Sequence, residues 1–426
     1  MKITIHRGID QIGGCITEIS TDTTRIIIDL GQNLPDGNNK IDDNLANKKA
    51  VSKITQNVDA IFYTHYHGDH IGLFNYVQEN IPQYIGSIAK QVVLCKHKRL
   101  YRIPTRKDQS IIEISIINKM HPFSPKQIIK IGDITIIPYF VSHSACDAYM
   151  FLIEANGKRV LHTGDFRGHG YLSKGLLPTI KKHIISKGKI DFLITEGTML
   201  SRLDERVKHE IDLKTDAIKL MKQYKYTFVF CSSTDMERLA TFYSANKHYN
   251  DRLFVCDDYQ ENILNIFSKT SGKISTLFDF GKPYTFNIRN KKLLNWMQDK
   301  GFCMLVRPTM KFSNYLKFIL PIINHDKTTL IYSMWHEYIN PKSIYAKKDY
   351  LDFVDTFPRY KTLHTSGHAS ADFLAEVCNN VNPVSGTIPI HSESSANFQN
   401  LPINDSLKSK IITSTQVSDN IEVEIK

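Results

Sequence analysis

Apolar and polar positions alternate at the start of the chain and then give way to longer apolar runs. Ile3 and Ile5 flank Thr4, Cys15-Ile16-Thr17-Glu18-Ile19 continues the pattern, and Arg25-Ile26-Ile27-Ile28-Asp29-Leu30-Gly31 is a β-branched run. Such segments, punctuated by Gly13-Gly14 and by Pro35-Asp36-Gly37, predict short β-strands joined by turns. The stretch from Val58 to Thr64 predicts another strand, which ends directly in a cluster of histidines. Further strands are predicted over 134–140, 150–154, 159–162 and 190–194. Helical patterns lie between some of them, after Asp69 and across 179–186, where Pro178 suits the first position of a helix. Strands mixed with helices on the outside predict an α/β sandwich.

Near residue 200 the texture changes. A charged helix-like stretch over 203–223 leads to a strand over 226–231, a second helix from Asp235 and a strand over 252–256, and the rhythm runs on through a strand over 329–334. Repeated β-α-β units are the signature of a parallel sheet. A second α/β unit is therefore expected over 201–358, between 1–200 and 359–426. A chain of 426 residues is also long for one hydrophobic core.

Composition narrows the class. With 42% hydrophobic and 23% charged residues the chain is an ordinary globular one, which excludes disordered, collagenous and coiled-coil readings. No uncharged apolar run reaches the roughly 18 residues needed to span a bilayer. The start, MKITIHRG, has no apolar stretch behind its basic residue, so a soluble, cytoplasmic protein without a membrane partner is expected. Seven cysteines, scattered and without a C-x-x-C pair, argue against a disulfide framework and a thiolate zinc knuckle. A metal here would be held by histidine and carboxylate. The net charge of +11 fits a polyanionic partner, or equally a lysine-rich solvated surface.

The chemistry concentrates in Thr64-His65-Tyr66-His67-Gly68-Asp69-His70, three histidines and an aspartate in six positions after Thr64. Alternation at the end of a strand points His65 and His67 to one side, while Asp69 and His70 lie in the following turn and reach a second point. One cluster can thus feed two metals, and imidazole with carboxylate is the ligand set of a hydrolytic zinc or manganese site.

This cluster resembles the H-x-H-x-D-H motif of the metallo-β-lactamase superfamily. Asp29 at the end of its strand resembles that superfamily's first motif, His143 in Val-Ser-His-Ser the third, and Asp165 in His-Thr-Gly-Asp-Phe the fourth. Downstream, Glu196 in Ile-Thr-Glu-Gly-Thr, His368 in Thr-Ser-Gly-His-Ala and His391 in Ile-Pro-Ile-His resemble motifs A, B and C of the β-CASP nucleases, most closely the ribonuclease J group. The resemblance implies an αββα sandwich with an inserted α/β β-CASP domain. Two features depart from the group: the chain ends soon after His391, and Ser333-Met334-Trp335-His336 does not match its Gly-Glu-Pro-type stretch.

By this resemblance two divalent ions, zinc or alternatively manganese, are held by His65, His67 and His143 on one side and Asp69, His70 and His391 on the other, with Asp165 bridging them and Asp29 behind. A hydroxide activated by the two metals attacks the phosphodiester. Asp69, His368 and Glu196 are the implied catalytic residues, with His368 as proton donor to the leaving oxygen and Glu196 as its carboxylate partner. Ser366 and Gly367 are candidate phosphate contacts. So are Ser232 and Ser233, in a strand-to-helix turn that an ordinary helix cap explains equally well. The run from Lys96 to Arg102 is the densest basic stretch, suited to single-strand binding or to a solvated helix face. RNA, single-stranded, is the implied partner, because histidine at motif C resembles the RNA-acting members where DNA-acting ones tend to have valine. A homodimer is allowed. The competing functions are hydrolysis of DNA or a small phosphodiester, and a catalytically idle nucleic-acid-binding subunit.

Overall fold

A computed structural model describes residues 1–34, 44–413 and 421–425. The turn expected at Pro35-Asp36-Gly37 lies outside the described residues. In chain order the strands are β1 (Lys2–Arg7), β2 (Ile16–Ser20), β3 (Arg25–Ile28), β4 (Ala60–Phe62), β5 (Gln83–Gly86) and β6 (His121–Phe123), then β7 (Ile129–Ile131), β8 (Ile134–Val141), β9 (Ala148–Ala155), β10 (Lys158–His162) and β11 (Phe192–Glu196). There follow β12 (Tyr226–Cys231), β13 (Leu253–Cys256), β14 (Tyr284–Thr285), β15 (Phe302–Val306), β16 (Thr328–Ser333) and β17 (Tyr360–Thr362), and last β18 (Gly386–Ile390) and β19 (Ile421–Glu424).

The chain forms two compact units. The first takes the chain up to Arg206 and from Gly367 on, and the second is Val207–Ser366.

The first unit holds two sheets, ordered β19-β1-β2-β3-β4-β5-β6 and β18-β11-β10-β9-β8-β7. Ile3, Ile5, Ile26, Ile28 and Phe62 of one and Ile136, Phe151, Ile153, Val160 and Ile388 of the other share one buried cluster, the filling between the sheets. Successive residues of β9 serve two cores: Tyr149, Phe151 and Ile153 point into that filling, while Met150 and Leu152 pack outward with Leu176, Ile180, Leu374 and Val377 of the covering helices. A strand buried on both faces reads as a continuous apolar run, and β9 does. This is the αββα sandwich of the metallo-β-lactamase fold.

The second unit holds one parallel sheet, ordered β14-β13-β15-β12-β16-β17. Two of its helices, Met236–Lys247 and Asp258–Lys269, start with aspartate caps that the sequence offers. Asp235 accepts from the Arg238 amide and Asp257 from the Gln260 amide, each satisfying a free N–H of the first turn.

Some expectations need correction. The helix expected from Leu203 begins only at Glu210, because residues 203–209 precede its first turn. The helix placed at 179–186 starts at Leu176, so Pro178 is inside its first turn and not at its first position. Both changes move an end and leave the element in place, as end positions depend on tertiary contacts that periodicity does not carry.

Candidate metal centre

The site is built at the ends of strands in the first unit. β3 stops at Ile28 because Asp29 turns into the left-handed region at φ 63°, where an aspartate is tolerated by its short polar side chain. From there its carboxylate accepts the Thr64 amide and hydroxyl, both at 2.7 Å, and the Nδ1–H of His70 at 2.7 Å. The loop after β4 therefore folds back over the end of β3. The turn through Asp69 needs backbone room on its other side: a Cβ on Gly31 would stand 1.8 Å from the Asp69 carbonyl oxygen, and one on Gly13 2.8 Å from the Asp69 Cβ.

His65 Nε2 and His143 Nε2 approach His67 Nδ1 to 3.2 and 3.1 Å. A tetrahedral zinc with nitrogen ligands at its usual bond length would separate them by about 3.3 Å. His391 Nε2 lies 3.2 Å from Asp69 Oδ2. Asp165 Oδ2 sits at the middle, 3.1 Å from His70 Nε2, 3.7 Å from His391 Nε2, 3.9 Å from His65 Nε2 and 4.0 Å from His143 Nε2. His368 Nδ1 is 3.7 Å from the same oxygen.

The outward nitrogens of four of these histidines are committed. His65 Nδ1 pairs with Thr64 Oγ1 at 3.0 Å, His70 Nδ1 with Asp29, His143 Nδ1 donates to the Gly367 carbonyl at 2.7 Å, and His391 Nδ1 pairs with Thr198 Oγ1 at 2.7 Å. Fixing the proton on Nδ1 leaves Nε2 with its lone pair turned inward, the arrangement that metal-ligating histidines need. The His70 Nε2 atom is buried against Asp165 Oδ2 at 3.1 Å without a hydrogen bond of good geometry, a pair that a cation held between the two atoms would satisfy.

Electrostatics agree. Burial and neighbouring imidazoles hold His65 and His143 well below the usual histidine range, and burial carries His67 down to about 4. Burial opposes charge on His70 too, yet Asp165 and Asp29 on either side hold it well above the ordinary value. Burial alone would raise Asp165; His391 and His70 bring it well below the carboxylate range. A site with this many inward lone pairs around ionised carboxylates attracts divalent cations.

Beside it, His368 Nδ1 donates to Glu196 Oε2 at 2.9 Å. Glu196 is itself fixed, since its Oε1 accepts the Phe166 amide at 2.9 Å. Burial disfavours charge on His368, but the Glu196 carboxylate more than offsets it and raises the imidazole to about 9. With 22% of its side chain exposed, His368 remains reachable from outside.

The structure thus gathers His65, His67, Asp69, His70, His143, Asp165, Glu196, His368 and His391, with Asp29 behind them. The Gly367 carbonyl accepts from His143 Nδ1 and so orients that ring. Ser232, Ser233 and Ser366 belong to the second unit. There Ser233 Oγ accepts from Arg307 at 3.3 Å, and Ser232 Oγ pairs with Thr234 at 3.4 Å. The basic stretch runs over the last residues of the helix Ser87–Leu100 and past its end, and its His97 is buried against Glu113 at 2.7 Å. Thr64 and Thr198 were missed. Thr198 stands two positions after Glu196, but a threonine near a turn carries no signal of its own. His162 was missed as well: buried and lowered to about 4 by that burial, it accepts the Gly164 amide at 3.2 Å in the turn before Asp165.

Residues 16–189 match the metallo-beta-lactamase superfamily. Ribonuclease J of Helicobacter pylori is 27% identical over 178 residues, covering 39% of this chain and 23% of that one. An RNase J-like protein of Methanocaldococcus jannaschii is 27% identical over 201 residues, 47% of this chain and 43% of that one. Ribonuclease J of Mycoplasma pneumoniae is 28% identical over 170 residues, 39% and 28%. The matches span less than half the length of these relatives. A solved structure of a protein of unknown function from Enterococcus faecalis V583 superposes with a TM-score of 0.72 over 99% of both chains at 19% identity, a likeness of fold. Sandwich, histidine cluster and relatives agree: residues 16–189 match the metallo-β-lactamase superfamily, and the chain is similar to ribonuclease J proteins.

Proposed function

We propose that the chain is a metal-dependent ribonuclease that hydrolyses RNA phosphodiester bonds, with the inserted unit as its β-CASP domain. The observation that carries this is the convergence of four imidazoles, those of His65, His70, His143 and His391, on Asp165 Oδ2, all within 4.0 Å, beside His368, which is held by its own carboxylate. His65, His67 and His143 would hold one divalent ion and Asp69, His70 and His391 a second, with Asp165 between them. An imidazole-rich set of this kind suits zinc, with manganese as the alternative. Ions held there supply an activated water and neutralise phosphate charge.

The chain's own residues do the rest. Asp69 and His391 position each other, and Asp29 and Thr64 keep His70 and His65 turned inward. His368, raised to about 9, carries its proton at neutral pH. It is the group that can hand a proton to the departing ribose oxygen, which would otherwise leave as a strongly basic alkoxide. Glu196 orients that imidazole and stabilises its charge. The ribonuclease J relatives support RNA as substrate, and RNA's 2′-hydroxyls offer the means of telling it from DNA. All seven cysteines are free, which supports a cytoplasmic setting. Among the described residues no helix is long and apolar enough to cross a membrane.

The test uses end-labelled single-stranded RNA and DNA of one sequence at matched salt, since phosphate contacts weaken as salt rises. RNA should be cut well ahead of DNA. A faster rate on the DNA strand would overturn the ribonuclease reading.

A further inference from the structure

Cys15 lies just before β2 and is tied to the turn of the metal motif. Its amide donates to the Asp69 carbonyl at 3.1 Å, and its own carbonyl accepts the Gly31 amide at 3.0 Å. Its Sγ and one ring nitrogen each of His70 and His391 lie within 4.8 Å of one another, and all three side chains are buried. Among the described residues it is the one cysteine in such a group.

A buried cysteine is ordinarily a small hydrophobe in an apolar wall. This wall is polar. His70 Nε2 lies 3.1 Å from Asp165 Oδ2 without a hydrogen bond of good geometry, its Nδ1 is spent on Asp29, and the Nδ1 of His391 is spent on Thr198. Two inward imidazoles and a soft sulfur therefore face one space, within 4.8 Å of one another.

We infer that Cys15 Sγ is a further donor to the ion held by His70 and His391, an inference that rests on the metal reading above. On binding, the S–H bond breaks, its proton passes to solvent and the sulfur electron pair forms the bond to the ion, with no change in oxidation state. A thiolate in the second position biases the site toward zinc over manganese or magnesium, which favour oxygen donors.

The test is spectroscopic. Cobalt-loaded wild-type protein should show an intense sulfur-to-cobalt charge-transfer band in the near ultraviolet, and Cys15→Ser should lose it while keeping the visible cobalt bands. X-ray absorption on wild-type protein with two zinc ions, which needs no variant, should find about half a sulfur per zinc at about 2.3 Å. Equal near-ultraviolet bands in the two proteins, or no sulfur around zinc, would overturn the inference. A chain that takes up neither cobalt nor zinc would overturn the metal reading itself, and this donor with it.

Discussion

His368 and Glu196 carry the sharpest consequence of single residues. Replacing His368 with alanine should cost roughly 10²–10⁴ in rate, the usual contribution of a positioned acid, while metal content stays unchanged. The loss should shrink on a substrate with an activated phenolate leaving group, which needs no proton, and an equal loss on both substrates would remove the role. A second residue sets acid stability. Glu18 would be raised by burial, but His6 at 2.9 Å and a two-pronged Arg25 at 2.8 and 3.1 Å lower it to about 2. Its pKa is depressed on folding, so the stability it adds is complete above the unfolded value of 4.5 and is lost as pH falls toward 2. The full shift is about 3 kcal/mol. Urea titrations of wild type and Glu18→Gln should differ at pH 6 and converge near pH 2; a constant difference would show that the pair acts through packing alone. At this scale the metal motif was legible because its residues are neighbours in sequence. Thr198 was not, because what matters there is a hydroxyl brought to His391 by folding.

At the level of elements, the glycine opposite the motif turn is decisive. Gly31→Ala would drive a methyl group into the Asp69 carbonyl, so the turn must shift while the sheets behind it keep their cores. The expected outcome is a folded protein, by circular dichroism, with less than the wild-type metal content. In the second unit Arg238 is buried, bonded through Nε to Glu210 at 3.0 Å and through Nη1 to Ser333 Oγ at 2.6 Å. Arg238→Met takes the arginine from the buried Glu210, which keeps the Thr241 hydroxyl at 2.8 Å, and should destabilise that unit by about 3 kcal/mol in denaturant titrations. Strands were read well from sequence, since β-branched runs such as Arg25–Ile28 and Tyr226–Cys231 are local signals. Helix starts were read poorly: residues 203–209 are as charged as the helix that follows, and nothing in their composition marks where the first turn closes.

For the whole molecule, elemental analysis of active protein should find about two transition-metal ions per chain. No zinc, manganese or related metal in active protein would refute the assignment of the cluster. The β-α-β rhythm disclosed a second unit, and its parallel sheet follows from that rhythm. Which surfaces its Ser232 and Ser233 serve did not follow, because a serine-rich turn before a helix satisfies its own backbone whatever else it meets.

The distance along the chain between site partners has a consequence for synthesis. His391 and Asp69 touch across 322 positions, and His143 rests on a carbonyl 224 positions later. A ribosome adding about 5–20 residues per second completes the His65–His70 turn well before His391 emerges. During that interval the growing chain lacks both the proton donor and the last ligand. On the function proposed above, a chain arranged in this way would stay idle on the ribosome until β18 has left the exit tunnel and joined β11.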